Sequence, residues 1–463
     1  MYVTIIIRIA KMKNILFIDG KIPFFSQCAH TCAENGYTVF FLVSTHQRKK
    51  TLEKNGHPSG SIYLLPEQLS KSPSENTLGI SQAEIDKAMK FMRQYSDLPE
   101  SFYDTRFYSY MYRTINCAAA VIEQMNIGLC VMFNYLLYPL PLVRLCCKKK
   151  ETDMLFFENG LFRPDTLSVD TKGLNFENSV PRSPAFYTNE YSPEHAESAP
   201  EPDITATDHR FTPLNPVSVL LLKLRFRIRS LLKYEYRLCR FTRSTGRTLI
   251  RPVRKKLITL FKKPDQPDLD YPFYFIPFQV ERDSQILKFS PYIRTMRELV
   301  STLTETLARM KQHNSFTDIH LVFKEHPEDH GYVNHADIYR SSKNIPWIHF
   351  LRSYSTETLI RKSAGIITVN STVAIEALDL NKKVLTLGKA FFNIEGMVKH
   401  ADSKEALEKV LKEFRGFTPD RKLTERFLHF LRHSYNIPGT WHNPSGEDVT
   451  YASARIMKEA RRE

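Results

Sequence analysis

The chain has 463 residues, 42% hydrophobic and 25% charged, which is globular composition on a length too great for one ordinary core. Its net charge is +15, and no run reaches the ~18 to 20 apolar residues of a membrane span. The nearest, Leu129 to Cys147, is broken by Asn134, Pro139, Pro141 and Arg144, so no stretch of this sequence reads as a membrane-spanning helix.

At the N-terminus, Val3 to Ile7 is too short an apolar patch for a secretory signal, and no small-residue cleavage site follows. The fragment "MKNILFIDG" from Met12 reads as a natural start, so residues 1–11 are expected to be an upstream extension. Seven cysteines, an odd number without a CxxC pair, indicate reduced thiols in a cytosolic protein.

"KNILFIDG" followed by "IPFFSQCAHTCAENGYTVFFLV" predicts strand, helix and strand, the helix running from Phe24 to Asn35 with Gly36 as its stop. "YTVFFLV" is nearly continuous in apolar residues, like a parallel strand covered on both faces. Residues 66–116 read as mostly helical and polar. "GLCVMFN" (Gly128 to Asn134) and "DMLFFENG" (Asp153 to Gly160) are further strands with a helix between them.

From Asn189 to about Asp270 the alternation stops. "SPEHAESAPEPDITATDHRFTPLNP" reads as a solvated linker. Between Lys223 and Lys263 there are fifteen Lys/Arg and one acid, Glu235, which leaves 50 basic and 49 acidic residues for the rest. Leu220, Leu221, Leu224, Phe226, Ile228, Leu231 and Leu232 interleave with Lys223, Arg225, Arg227, Arg229 and Lys233, the pattern of a basic amphipathic helix. A second α/β alternation begins at "YPFYFIPFQ" and runs through "DIHLVFKEHP", "TETLIRKS", "GIITVN", "STVAIEALDL" and "KKVLTLG". The expected fold is α/β, with two Rossmann-like domains, a cleft between them and a basic amphipathic helical insertion. The domains are 12–187 and 271–440, with the linker and basic segment at 188–270 and a C-terminal helical tail at 441–463.

Four stretches carry chemistry, because ligands of open α/β sheets bind beyond the carboxyl ends of the strands. In "FFENGLFRPDT", Glu158 ends a strand and can take a proton from an acceptor hydroxyl, while Gly160 permits a sharp turn; the competing reading is an ordinary turn acid. In "FIPFQVERDSQILKFSP" a strand exits into Gln279, Asp283, Ser284 and Gln285. Asp283 can serve as a carboxylate nucleophile, or it caps a helix. In "HLVFKEHPEDHG", Lys324 and His326, with Pro327, meet a strand end where they can contact a phosphate. The row His326, His330, His335 lacks the spacing of a helical metal pair. In "TVNSTVAIEAL", Asn370 ends a strand, and Ser371 and Thr372 open a helix as an anion site or as plain caps. Asp268-Leu269-Asp270 lies in the linker and is read as such. P-loop, GxSxG and dinucleotide fingerprints do not occur.

The acidic-Gly turn, the His-Pro stretch and the Asn-Ser-Thr helix start resemble motifs of bacterial sialyltransferases and related CMP-sugar enzymes. More closely, "ENGLFRPDTLSVDTKGLNFENSVPR", "PFQVERDSQI", "LVFKEHPEDHG" and "VNSTVAIEALDLNKKVLTLGKAFFNIEG" resemble the capsule polysaccharide biosynthesis/export family, which includes β-Kdo transferases of the KpsS/LipB and KpsC/LipA types. The resemblance covers residues 12–187 and 271–440. It implies a GT-B-like fold and transfer of Kdo from CMP-Kdo, with retention, onto a phospholipid-linked glycan at the inner membrane of a Gram-negative bacterium.

Carried over, Glu158 is the acid of the acidic-Gly motif, with Asn159 where many members have a second acid. Asp283 is the candidate nucleophile, and His326 and Lys324 offset the leaving phosphate together with Asn370, Ser371 and Thr372. Gln279, Pro327, Arg163 and Asn175 complete the expected substrate-binding set. The CMP-sugar is a substrate and no cofactor or obligatory metal is expected, because CMP is already a good leaving group. The basic segment 217–263 is expected to meet an anionic membrane surface rather than nucleic acid, since no nucleic-acid fold accompanies it. Other capsule synthesis and export proteins are expected partners. The competing functions are transfer of another CMP-sugar, such as sialic acid, and a non-catalytic assembly or export factor.

Overall fold

The computed structural model describes residues 13–96, 103–162, 165–193, 211–232, 265, 267–313, 316–329 and 335–461. The chain divides into two compact units. One comprises Met1–Leu174, Ala199–Arg243 and Asn436–Glu463, the other Asn175–Ser198 and Ser244–Tyr435.

The first unit is built on a sheet whose strands are β1 (Asn14–Ile18), β2 (Val39–Val43), β3 (Ile62–Leu64), β4 (Ile127–Phe133), β5 (Asp153–Asn159) and β6 (Thr166–Asp170), with β13 (Asn436–Pro438) returning from the C-terminus. Their order is β13-β6-β5-β4-β1-β2-β3. The pairs among β1 to β5 are parallel, while β6 runs antiparallel to β5 and β13 antiparallel to β6. The apolar runs of β1 and β4 are buried almost throughout, as strands covered on both faces by helices must be. The first helix is Ile22–Glu34, with Pro23 in its opening turn and Gly36 at φ +87° just past its end.

The second unit holds a wholly parallel sheet. Its strands are β7 (Phe273–Pro277), β8 (His320–Lys324), β9 (Ile348–Leu351), β10 (Gly365–Thr368), β11 (Val384–Thr386) and β12 (Lys399–His400), in the order β12-β11-β10-β7-β8-β9. The helix Met296–Gln312 places Leu299, Val300, Leu303, Leu307 and Met310 on one face, and these pack into the core with β7 and β8. Both units are Rossmann-like, and the α/β expectation holds.

Two of the expected boundaries change. Residues 175–187 belong with the second unit: Gln285 donates to Asn175 at 2.6 Å, Lys288 pairs with Glu177 at 2.8 Å, and Tyr187 packs edge-on against Phe427. The C-terminal segment is no appended tail. The helix Gly446–Ala460 puts Val449, Ala452, Ile456, Met457 and Ala460 into the core of the first unit, together with Phe24, Phe157 and Val131. Its N-terminus is closed by a capping box between Ser445 and Asp448. An amphipathic pattern predicts such a helix but does not say which body it covers. Of the basic insertion, the helix Pro216–Leu232 is among the described residues, and 233–264 lie outside them.

Candidate functional site

In the first unit, Glu158 lies in β5 one residue before its end and lines a cavity of about 330 Å³ with Asp19, Lys21, Arg48, Asn134 and Tyr138. Asn134, at φ +63° beyond the end of β4, donates its side-chain amide to Glu158 Oε2 at 2.9 Å. The other carboxylate oxygen, Oε1, accepts the Asn159 backbone N–H at 3.1 Å. Asn159 in turn accepts from Trp441 Nε1 at 2.5 Å, so the C-terminal segment buttresses the turn that holds Glu158. Gly160 is required there, because a Cβ would collide with the backbone and hydroxyl of Thr166, whose carbonyl accepts the Gly160 N–H at 2.9 Å.

Two cations join Glu158 in this cavity. Lys21 follows the left-handed turn Asp19-Gly20 at the end of β1, and its ammonium lies 3.5 Å from the centroid of the Trp441 ring. Burial pushes the Lys21 pKa below its ordinary value; nearby Glu158 pulls it back up and Arg48 lowers it further. Arg48 comes from the helix His46–Lys54 and pairs with the buried Asp19, which also accepts the Ser44 N–H at 2.9 Å. Sequence reasoning missed Lys21, Arg48 and Asn134. The signal for the first was present: "DGK" stands at the carboxyl end of the first parallel strand.

In the second unit, three neighbouring strands, β10, β7 and β8, end on the same edge, and the expected residues collect there. Beyond β7, Gln279 donates to Asn370 Oδ1 at 3.0 Å and accepts the Asn370 N–H at 3.1 Å. Asn370 donates to the Gln285 carbonyl at 2.8 Å. Both side chains are buried, so these amides tie the ends of β7 and β10 together. Asp283 is exposed at the start of the short helix Ser284–Leu287. Its carbonyl accepts the Leu287 N–H, and its carboxylate takes the Ser284 hydroxyl at 3.0 Å instead of a backbone cap.

Lys324 ends β8 and is nearly buried, with its ammonium donating to Thr356 Oγ1 at 2.9 Å; burial lowers its pKa while Glu376 raises it. His326 is half-buried, and its Nδ1 accepts the Glu328 N–H at 3.1 Å, which puts the proton of a neutral ring on Nε2. Pro327 is exposed and opens the turn Pro327–Asp329. Glu325 is turned inward, onto Tyr339 and Arg352. At the third strand end, Ser371 Oγ accepts the Val373 N–H at 3.3 Å, and the Thr372 side chain caps nothing. Asn175, expected in the N-terminal domain, sits in the second unit against Gln285, and Arg163 lies outside the described residues. His330 also lies outside them, and among the described residues no cluster of His, Cys, Asp and Glu is arranged to hold a metal ion.

Two Rossmann-like units, each with ionisable side chains at the carboxyl edge of a largely parallel sheet, define a two-domain α/β protein. Within that class the chain belongs to the capsule polysaccharide biosynthesis protein family, whose model matches residues 142–440. It is 28% identical to Protein FixF of Sinorhizobium fredii over 71% of this chain and 63% of that protein. It is 26% identical to the capsule polysaccharide export protein KpsS of Escherichia coli, over 61% of this chain and 71% of KpsS. The chain thus spans less than two thirds of FixF's length. Among solved structures it resembles the β-Kdo 2,7 transferase KpsC of Thermosulfurimonas dismutans, with 14% identity and a TM-score of 0.35 over 74% of this chain and 89% of that one. At that level the likeness says nothing of chemistry.

Proposed function

We propose that the chain is a glycosyltransferase of capsule polysaccharide biosynthesis that moves Kdo from CMP-Kdo, with retention, onto a phospholipid-linked glycan at the cytoplasmic face of the inner membrane. The observation that carries this reading is the gathering of Asp283, Lys324, His326 and Ser371 at the ends of three adjacent parallel strands. Asp283 attacks the anomeric carbon and the glycosyl–phosphate bond breaks, so the electron pair leaves with CMP. Lys324 and His326 offset the charge on the departing phosphate. Glu158 then takes the proton of the acceptor hydroxyl as that oxygen displaces Asp283, and the two inversions give net retention. Membership of the capsule family supports the choice of pathway, and the motif resemblance supports the choice of donor.

A non-catalytic export role is the second reading. It is favoured by Asn159, which stands where many family members have a second acid and is engaged by Trp441.

The experiment is to mix the purified protein with CMP-Kdo, generated in situ, and a synthetic Kdo-primed glycolipid, and to read products by mass spectrometry. A gain of one or more Kdo units is expected, and it should persist in EDTA. Product with CMP-sialic acid alone would replace the donor, and no product with either from a folded protein that fails to bind CMP would favour the export role.

A further inference from the structure

The large hydrophobic side chains that stand exposed among the described residues all lie on one helix. Val217, Leu220, Leu221, Leu224 and Ile228 of Pro216–Leu232 are 50 to 65% exposed. At 3.6 residues per turn these five occupy an arc of about 100°. Lys223 and Arg227 flank one side of that arc and Arg225 the other, and all three are exposed.

The opposite face of the same helix is already used. Val219, Leu222 and Phe226 are half-buried there, and Arg229 donates to His46 Nε2 at 3.0 Å. The approach to the helix is pinned to the first unit by Lys54, which donates to the Pro213 carbonyl, and by Asn55, which exchanges two hydrogen bonds with Thr212. A helix that needed one apolar stripe to pack on its own domain therefore carries a second one, edged with cations, that faces outward.

We propose that this outward face docks the first unit onto an anionic lipid surface, the helix lying in the plane of the interface with Leu220, Leu221 and Leu224 among the acyl chains. Three observations select this occupant over a second copy of the chain. The flanking charges are all positive, so two copies meeting on this face would bring like charges together. The helix carries no acid to pair with them. The sequence beyond the helix continues the same sign, with Glu235 as the one acid up to Lys263. Apolar insertion combined with a cationic rim is the pattern of an interfacial helix.

The docking also has a place relative to the candidate site. Val219, Leu214 and Phe211 line a second cavity of about 330 Å³ whose other wall is Gly20, Lys21 and Arg48, residues that also line the Glu158 cavity. Seating the helix on a bilayer brings that shared wall to the lipid surface, which deepens the reading of a lipid-linked acceptor and rests on it. The docking itself is measured without donor or acceptor, so it can fail or succeed independently of that reading.

The test is flotation of the full chain with phosphatidylcholine vesicles, with and without phosphatidylglycerol. Binding should require the anionic lipid and should fall roughly tenfold or more in the triple variant Leu220→Ser, Leu221→Ser, Leu224→Ser. A separate Leu221→Trp variant should be quenched by brominated acyl chains. Binding that survives the triple serine substitution and shows no quenching would overturn insertion. A parent protein that is dimeric in solution, with a monomeric triple variant, would assign the face to a second copy. Binding to duplex RNA abolished by the serine variant, with no vesicle binding by the parent, would assign it to nucleic acid.

Discussion

The Asn134 side-chain amide donates to Glu158 Oε2 across 2.9 Å, joining the exits of two adjacent parallel strands, and the Asn134 backbone N–H closes the same junction on the Phe157 carbonyl at 2.9 Å. The carboxylate is thus aimed by a residue 24 positions earlier in the chain.

If Glu158 takes the acceptor proton, Glu158→Gln should lower transfer by about 10² to 10⁴-fold with no change in melting temperature. Asn134→Gly removes the amide yet accepts the left-handed backbone, and should cost roughly tenfold. In the double variant the asparagine should have no further effect, because it acts through the carboxylate. Rates of CMP release from the four proteins check this.

Asp283 is exposed and bonded through its carboxylate to one hydroxyl, so Asp283→Asn should fold and melt like the parent. As the nucleophile of a double displacement it should lose transfer by about 10³-fold or more while CMP still binds. Calorimetric CMP titration beside the product assay separates the two effects. Equal transfer by the variant would remove the nucleophile assignment.

Asp329, two residues past Pro327, is buried, and its Oδ2 has no hydrogen-bond partner. Burial first, and then Glu281, raise its pKa to about 7. The folded state therefore holds a proton that the unfolded chain releases near pH 4, so this group's contribution falls as pH rises from about 4 to 7 and stays low above that. Asp329→Asn should raise stability at pH 8 by up to about 4 kcal/mol and have little effect near pH 4. Thermal melts at both pH values test the sign.

Ile456 is fully buried in the core of the first unit. Ile456→Ala should destabilise that unit by about 2–5 kcal/mol. The sequence has two tryptophans, Trp347 and Trp441, one in each unit. In a Trp347→Phe background, Trp441 fluorescence reports the first unit alone, and its urea midpoint should drop while circular dichroism still shows the second unit intact.

What was legible in the sequence was local. "KNILFIDG", "GLCVMFN" and "HLVFKEHP" announce strands through unbroken apolar runs, and the ionisable residues just past them identify the site edges. The antiparallel β6 was not foreseen, since "TLSVD" is short and alternates weakly. Gln279 and Asn370 were rightly placed at strand ends, but their mutual bonding spans 91 positions and has no trace in either motif. Arg48 reads as one polar residue among several on the helix His46–Lys54, and only the packed structure shows which of them pairs with Asp19. Asn175 looked like part of the N-terminal domain because nothing in "KGLNFEN" marks where one body ends and the other begins.

The first unit is interrupted in sequence by the whole of the second. During synthesis, β5 and β6 leave the ribosome long before β13 and the helix Gly446–Ala460 exist, so β6 has no partner on its outer side and one face of the sheet, on which the helix Ile22–Glu34 packs, lacks the rest of its cover. The second unit, whose strands are consecutive in the chain, can complete its core while the first still waits. The N-terminal half is therefore left with an open sheet edge until residues 436–460 have been made, and in that interval it is the part most in need of shielding from aggregation.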